Sequence, residues 1–131
     1  MSDPSIPCAI VTGASSGIGQ AIALKLLSEG WHVHGLDVAP SKLGHGQFSS
    51  WAVDLTQSHE LESTLDQIVA KQIPQVLVHA AGILRVGSLG ELDMQAGHLM
   101  WQLHVDVATR LANRILPIMK QAQHGRMILV G

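Results

Sequence analysis

Short runs of apolar residues alternate along the chain with longer segments in which apolar residues recur at helical spacing. This alternation is typical of parallel strands joined by crossover helices. The pattern predicts five strands, at residues 8–12, 31–37, 50–54, 75–79 and 126–130. It predicts helices at residues 19–29, from 58 to a stop at Pro74, and at 94–121 with Asp93 as the cap. Pro117 should end or bend the last helix, and residues 39–47 should form a loop.

Length and composition indicate a single α/β domain. The chain has 131 residues, of which 47% are hydrophobic and only 14% are charged, so we expect strands that are buried on both faces. No repeat, low-complexity tract or linker divides residues 1–131. The net charge of −2 provides no electrostatic basis for binding nucleic acid or an anionic membrane.

The sequence also predicts a cytoplasmic protein. Cys8 is the only cysteine, which excludes an intramolecular disulfide and fits a reducing compartment. No apolar run approaches the roughly 20 residues that a membrane-spanning helix needs. Residues 1–7 lack the basic and apolar regions of a signal peptide.

The strongest chemical signal is the glycine-rich turn Thr12-Gly-Ala-Ser-Ser-Gly-Ile-Gly19, between the first strand and the first helix. The first glycine would permit a tight turn, the second a close approach of ligand to backbone, and the third close packing of the helix on the sheet. Free N–H groups at the start of the helix would bind a pyrophosphate. The predicted contacts are Gly13, Ser15, Ser16, Gly17, Ile18 and Gly19. The alternative is a turn of this kind that binds no ligand.

The spacing Gly-x-x-x-Gly-x-Gly after a threonine resembles the short-chain dehydrogenase/reductase family. Asp54-Leu55 resembles the family's adenine-contacting pair, and residues 125–130 are similar to its fifth strand. Residues 79–82, His-Ala-Ala-Gly, stand where the family usually has Asn-Asn-Ala-Gly beside the cofactor. The resemblance therefore adds Asp54, Leu55, Ala80, Ala81 and Gly82 to the predicted cofactor-binding residues. With the pattern above, we predict a Rossmann-type doubly wound parallel sheet of strand order 3-2-1-4-5, with helices on both faces.

The resemblance also implies an activity. Members of this family transfer a hydride between a nicotinamide cofactor and a secondary alcohol or ketone, so we expect an NAD(P)-dependent oxidoreductase with a small-molecule substrate. It further implies a homo-oligomer, either a dimer or a tetramer.

Asp37 bears on which nucleotide is bound. It lies 18 residues after Gly19 at the end of the second predicted strand, where a carboxylate can accept hydrogen bonds from the adenosine ribose and would repel a 2′-phosphate. The turn contains no arginine or lysine, and Lys42 is the nearest basic residue downstream. We therefore predict NAD in preference to NADP. Asp37 as a loop cap, and Asp54 as the start of an Asx turn, remain the alternatives.

Two departures from the family pattern limit the resemblance. His104 stands at the position of the family's catalytic asparagine, where an imidazole could still relay a proton. The family's catalytic serine and Tyr-x-x-x-Lys lie beyond the fifth strand, whereas this chain has no tyrosine and Lys120 is its last lysine. We expect the chain to be the amino-terminal part of a longer enzyme and to be inactive alone. The alternative is a non-catalytic NAD-binding or assembly module, and the coding sequence after residue 131 would discriminate the two.

Other candidate residues favour ordinary roles. His32 and His34 project to one side of a predicted strand, but no third ligand stands at suitable spacing, so we predict no metal site. Cys8 is expected to be a core residue, and Arg85 and Arg126 to pair with acidic groups on the surface.

Overall fold

The computed structural model describes residues 5–41 and 43–131. Within them the strands are β1 (Cys8–Thr12), β2 (His32–Asp37), β3 (Phe48–Ala52), β4 (Val76–His79) and β5 (Arg126–Leu129). The helices are α1 (Gly17–Ser28), α2 (Ser58–Lys71), α3 (Met94–Trp101) and α4 (Val107–Ala122), and a π-helical turn (Gln102–Asp106) joins α3 to α4. Two expectations involve residues outside the described ranges. Lys42 was named as the nearest basic residue downstream of the glycine-rich turn, and residues 1–4 belong to the segment compared with a signal peptide.

The strands form one sheet in the order β3-β2-β1-β4-β5, and every neighbouring pair is parallel. The predicted α/β fold and strand order are confirmed. At the centre of the sheet, Val11 of β1 pairs with Gly35 of β2 on one side and with Val78 of β4 on the other. The winding of the chain thus reverses between β1 and β4, and the carboxyl ends of these strands form the crevice in which doubly wound sheets bind ligands.

Alternate residues of β1 enter two different hydrophobic cores, as the two-residue period of a strand requires. Ile10 packs with Leu65 of α2 and Ile115 of α4, whereas Val11 packs with Leu27 of α1. All five side chains are buried. Helices therefore cover both faces of the sheet, as predicted.

The predicted bounds of the third strand were wrong by two residues. β3 begins at Phe48 and ends at Ala52, which lies opposite Asp37, the last residue of β2. The apolar pattern favoured the later position because it included the apolar residue Val53 in the strand. Val53 is buried, but it lies just beyond the last residue of β3. The other strands agree with the prediction to within one residue at each end, and residues 39–47 form a loop wherever the structure describes them.

The long predicted helix is present, but it is not a uniform α-helix. Its cap is confirmed, because the Asp93 carboxylate accepts hydrogen bonds from the N–H groups of Gln95 and Ala96. The π turn in its middle was not predicted. Pro117 does not end the helix, which continues for five more residues to Ala122. Because proline has no N–H, the carbonyl of Asn113, four residues earlier, has no donor in the helix. Asn113 and Pro117 are both exposed, so water can solvate this carbonyl.

The fifth strand lies at an edge of the sheet and is poorly covered. Ile128 is 46% exposed and Leu129 is 60% exposed. None of the described helices is long and apolar enough to cross a membrane.

Candidate functional site

Among residues 5–41 and 43–131, the backbone N–H donors at the start of α1, in the glycine-rich turn, have no hydrogen-bond acceptor. The first hydrogen bond of the helix joins the Gln20 N–H to the Ser16 carbonyl. The N–H groups of Gly17, Ile18 and Gly19 precede that bond and therefore have no acceptor within the helix. Ser16 is extended and makes no side-chain capping bond, so its hydroxyl does not occupy these donors. This arrangement starts α1 two residues earlier than predicted and presents N–H groups at the positive end of the helix dipole.

Two of the glycines are required by close packing. A Cβ atom on Gly19 would lie 2.1 Å from the carbonyl oxygen of Gly13, and one on Gly13 would lie 2.9 Å from the backbone N and Cα of Ala81. Gly13 also has a φ angle of +68°, which L side chains rarely adopt. The turn is therefore held against both its own helix and the loop after β4.

A cavity of about 590 Å³ opens at the carboxyl ends of the central strands, beside this turn. Its lining contains every predicted cofactor-binding residue except Ser15: Gly13, Ser16, Gly17, Ile18, Gly19, Asp37, Asp54, Leu55, Ala80, Ala81 and Gly82. The sequence did not indicate the rest of the lining, which is mainly apolar: Val38, Val53, Thr56, Ile83, Leu99 and Leu103. A larger depression of about 900 Å³ lies between the end of α4 and β5, and it contains none of the predicted site residues.

Ser15 was predicted to donate to a phosphate, but the structure places it against Asp37 instead. Its hydroxyl and its backbone N–H both donate to Oδ2 of Asp37, the N–H over 3.2 Å. The Ala39 N–H donates to Oδ1 over 3.3 Å, so Asp37 also stabilises the loop after β2. These bonds hold the carboxylate at the edge of the cavity.

Asp54 forms the Asx turn that the sequence left open as an alternative. Its Oδ1 accepts hydrogen bonds from the N–H of Thr56, over 3.0 Å, and from the Thr56 hydroxyl, over 2.7 Å, which makes an Asx turn. Asp54 nevertheless lines the cavity, and the buried side chain of Leu55 lies next to it.

A buried histidine connects the turn to the helix after β4. His79 is 3% exposed; its Nδ1 lies 2.8 Å from the Thr12 hydroxyl and its Nε2 lies 2.7 Å from the Leu103 carbonyl. The Thr12 hydroxyl oxygen also lies 3.1 Å from the N–H groups of Ala80 and Ala81. Burial lowers the pKa of His79, the hydrogen bond to Leu103 opposes this effect, and the neighbouring His104 adds to it. The roles of Thr12 and Leu103 here were missed, because the pattern of residues contains no signal for them.

His104 lies on the π turn and does not line the cavity. Its Nε2 is 3.0 Å from the Ile83 carbonyl. Its ring packs so closely on Gly82 that a Cβ there would lie 2.3 Å from the ring carbon Cε1. His104 therefore contacts the loop that lines the cavity while its own ring remains exposed to solvent.

The remaining candidates lie elsewhere. His32 interacts with Gln47 and Ser49, and Nδ1 of His34 accepts a hydrogen bond from Trp51 over 3.0 Å. Residues 5–41 and 43–131 contain no group of three or more side chains suited to bind a metal. Burial raises the pKa of the Cys8 thiol to about 12, so this thiol is not a nucleophile near neutral pH.

Within the part of the chain that the structure describes, the expected surface ion pairs of Arg85 and Arg126 are not seen. Arg85 donates instead to the Leu84 carbonyl over 3.1 Å. Among the described residues, the basic side chains in ion pairs are those of Lys25, Arg110 and Arg114, and Arg126 is in none of them.

A sequence profile described as short chain dehydrogenase matches residues 7–131. The chain belongs to this family. Within the family it is 31% identical, over 132 residues, to the short chain dehydrogenase adrF of Penicillium roqueforti; the match covers 93% of this chain and 50% of adrF. It is 26% identical, over 133 residues, to the 2,3-dihydro-2,3-dihydroxybenzoate dehydrogenase of Bacillus subtilis, with 94% of this chain and 51% of that protein covered.

Two solved structures, one of them of a short-chain dehydrogenase, share the fold. One from Streptomyces avermitilis superposes with a TM-score of 0.89 at 27% identity and covers 95% of this chain and 48% of that chain. A 4-hydroxyisoleucine dehydrogenase complexed with NADH superposes with a TM-score of 0.84 at 22% identity, and the match covers 94% of this chain and 54% of that chain. The chain thus spans about half the length of the proteins it resembles.

Proposed function

We propose that this chain is the dinucleotide-binding part of an NAD-dependent oxidoreductase that transfers a hydride between a nicotinamide cofactor and a secondary alcohol or ketone. The observation that carries the proposal is the cavity beside the glycine-rich turn. Unused N–H groups, two carboxylates and an apolar wall converge there at the point where the sheet reverses its winding. Because the relatives are dehydrogenases, the alternative of a non-catalytic module is not favoured.

The lining residues fit such a dinucleotide. The N–H groups of Gly17, Ile18 and Gly19 would bind the pyrophosphate, and the Ser16 hydroxyl would add a donor. Asp37 would accept hydrogen bonds from the adenosine ribose, and Asp54 with Leu55 would contact the adenine. The loop Ala80–Gly82 would lie along the rest of the nucleotide. When bound, the nicotinamide ring supplies or receives the hydride.

Asp37 supports a preference for NAD over NADP. Ser15 holds its carboxylate at the cavity, and the described residues that line the cavity include no arginine or lysine to offset a 2′-phosphate. A phosphate placed near this carboxylate would be repelled.

For the chemical step we propose His104 as a candidate proton relay. The Ile83 carbonyl cannot donate, so Nε2 of His104 must carry the hydrogen in that bond, and in the neutral ring Nδ1 can accept a proton. The serine and the Tyr-x-x-x-Lys unit would come from residues beyond 131. We therefore propose that the 131-residue chain binds the cofactor but does not turn over a substrate.

We also propose a cytoplasmic homo-oligomer, a dimer or a tetramer, that acts on a small molecule. The exposed apolar side chains of Leu116, Ile128 and Leu129, on α4 and β5, support contacts with further protein.

The proposed cofactor preference is tested by titrating the purified chain with NADH and with NADPH and following the fluorescence of the reduced nicotinamide. We expect NADH to bind about tenfold more tightly or better, because the charge of Asp37 disfavours the extra phosphate. Asp37→Asn keeps an acceptor for Ser15 but removes that charge, so the difference should fall to about threefold or less. Asp66→Asn makes the same change in net charge outside the cavity and should leave the ratio unchanged. Equal or reversed affinities in the unmodified chain would contradict the role of Asp37.

A further inference from the structure

The hydrogen bonds around His79 can be oriented in only one direction. The Leu103 carbonyl cannot donate, so Nε2 of His79 carries the hydrogen and donates to it. In the neutral ring Nδ1 is then a bare acceptor, and the Thr12 hydroxyl must donate to it. The lone pairs of that hydroxyl are left to accept the N–H groups of Ala80 and Ala81. Every member of this network has its partner, which is the condition under which a buried polar network is stabilising.

The π turn makes the last acceptor available. In a regular α-helix the Val107 N–H would bond to the Leu103 carbonyl, four residues earlier. Here it bonds instead to Gln102, five residues earlier. The Leu103 carbonyl can therefore accept the hydrogen of His79. The network thus joins the end of β1, the loop after β4 and the segment that carries His104.

We propose that His79 is a positioning residue for the dinucleotide site, and that its imidazole, protonated on Nε2, fixes the loop Ala80–Gly82 relative to the π turn. The role of His79 in dinucleotide binding rests on the proposed function, whereas its hydrogen bonds are observed in the structure. A histidine suits the position because its two nitrogens act on opposite sides of the ring, one as acceptor and one as donor. The amide of an asparagine could reach Thr12 but is too short to reach Leu103 as well, and a leucine could bond to neither.

The first test is the tautomer of His79, read from a long-range ¹H–¹⁵N spectrum of the histidine side chains of the full chain near neutral pH. We expect a protonated Nε2 and an unprotonated Nδ1, and we expect Thr12→Val, which removes the donor, to move the Nδ1 resonance. A ring protonated on Nδ1, or on both nitrogens, would overturn the proposal.

The second test is amide hydrogen exchange at Ala80 and Ala81, with the amides of β1 as the reference for global unfolding. His79→Leu should speed exchange at both residues about tenfold relative to that reference, because the Thr12 hydroxyl loses the acceptor that orients it. His79→Asn should have a smaller effect, since it keeps the bond to Thr12. A role in packing alone would give the reverse order, because leucine is the better apolar filler. His59→Asn, an exposed histidine on α2, is the control and should change nothing.

Cofactor affinity is the third readout. NADH should bind about 3- to 10-fold more weakly to His79→Leu than to the unmodified chain, and His79→Asn should fall between them. Unchanged affinity together with unchanged exchange would overturn the proposal. If the unmodified chain binds neither NADH nor NADPH, the proposed function fails, while the tautomer and the exchange rates still decide whether His79 positions the loop.

Discussion

Replacing Gly19 with alanine should remove most of the NADH binding at concentrations that just saturate the unmodified chain. The added Cβ would lie 2.1 Å from the Gly13 carbonyl oxygen, and neither backbone can yield without moving the N–H groups that we propose bind the pyrophosphate. We expect a loss of about 100-fold in affinity and of about 1–3 kcal/mol in the free energy of unfolding. NADH titration and urea denaturation measure the two effects.

The matched control for this change is Gly97→Ala. Gly97 lies in α3, has no positive φ angle, and a Cβ there would meet nothing within 4 Å. Since alanine favours a helix more than glycine does, the control should be as stable as the unmodified chain or more so, with the same affinity for NADH. A Gly19→Ala chain that binds NADH as tightly as the control would show that the turn does not hold the cofactor.

Lowering the pH should lower the free energy of unfolding, and protonation of His34 should account for much of this decrease. Its ring is 1% exposed, and its Nε2 is buried without a hydrogen-bond partner among the described residues. Burial, together with the nearby charges of His32 and Lys71, lowers the pKa of His34 from 6.5 to about 4. Between these two values the unfolded chain binds more protons than the folded one, so stability falls as the pH falls. The expected contribution is about 2 kcal/mol between pH 7 and pH 5.

Urea denaturation at those two pH values measures the effect, with His34→Asn as the test variant. Asparagine can still accept the hydrogen bond from Trp51 but does not titrate. Between pH 7 and pH 5 the free energy of unfolding of the variant should therefore fall by about 2 kcal/mol less than that of the unmodified chain. The part of the loss that remains is expected from His79, whose pKa burial also lowers. His124→Asn, at an exposed position, should retain the full pH dependence. The same slope in His34→Asn as in the unmodified chain would contradict the assignment.

The positions of most strands and the glycine-rich corner could be predicted because both depend on local signals, whereas the order of the strands was predicted with the help of the resemblance to the family. Apolar runs mark the strands, and the motif already contains the close packing that requires Gly13 and Gly19. The position of β3 could not be predicted, because it depends on where β2 ends and not on the apolar pattern of residues 48–54. The apolar side chain of Val53 therefore shifted the predicted strand two residues too late.

The polar contacts of the site were beyond the sequence because they join residues that are far apart in the chain. Ser15 and Asp37 could each be named, but not the bond between them, which takes Ser15 away from the phosphate site. The link from Thr12 through His79 to Leu103 needs a π turn, and the sequence of residues 102–106 gives no sign of one. Patterns in the sequence could therefore name candidate residues but not the partners that orient them.

The central claim is that N–H groups at the start of α1 bind the diphosphate of a nicotinamide dinucleotide, and an amide ¹H–¹⁵N titration of the chain with NADH tests it most directly. We predict the largest shifts at Gly17, Ile18 and Gly19, with smaller ones at Ala80–Gly82, and no change at Gly125 beside the larger depression between α4 and β5. Unmoved resonances at Gly17–Gly19, or shifts concentrated around Gly125, would contradict the account.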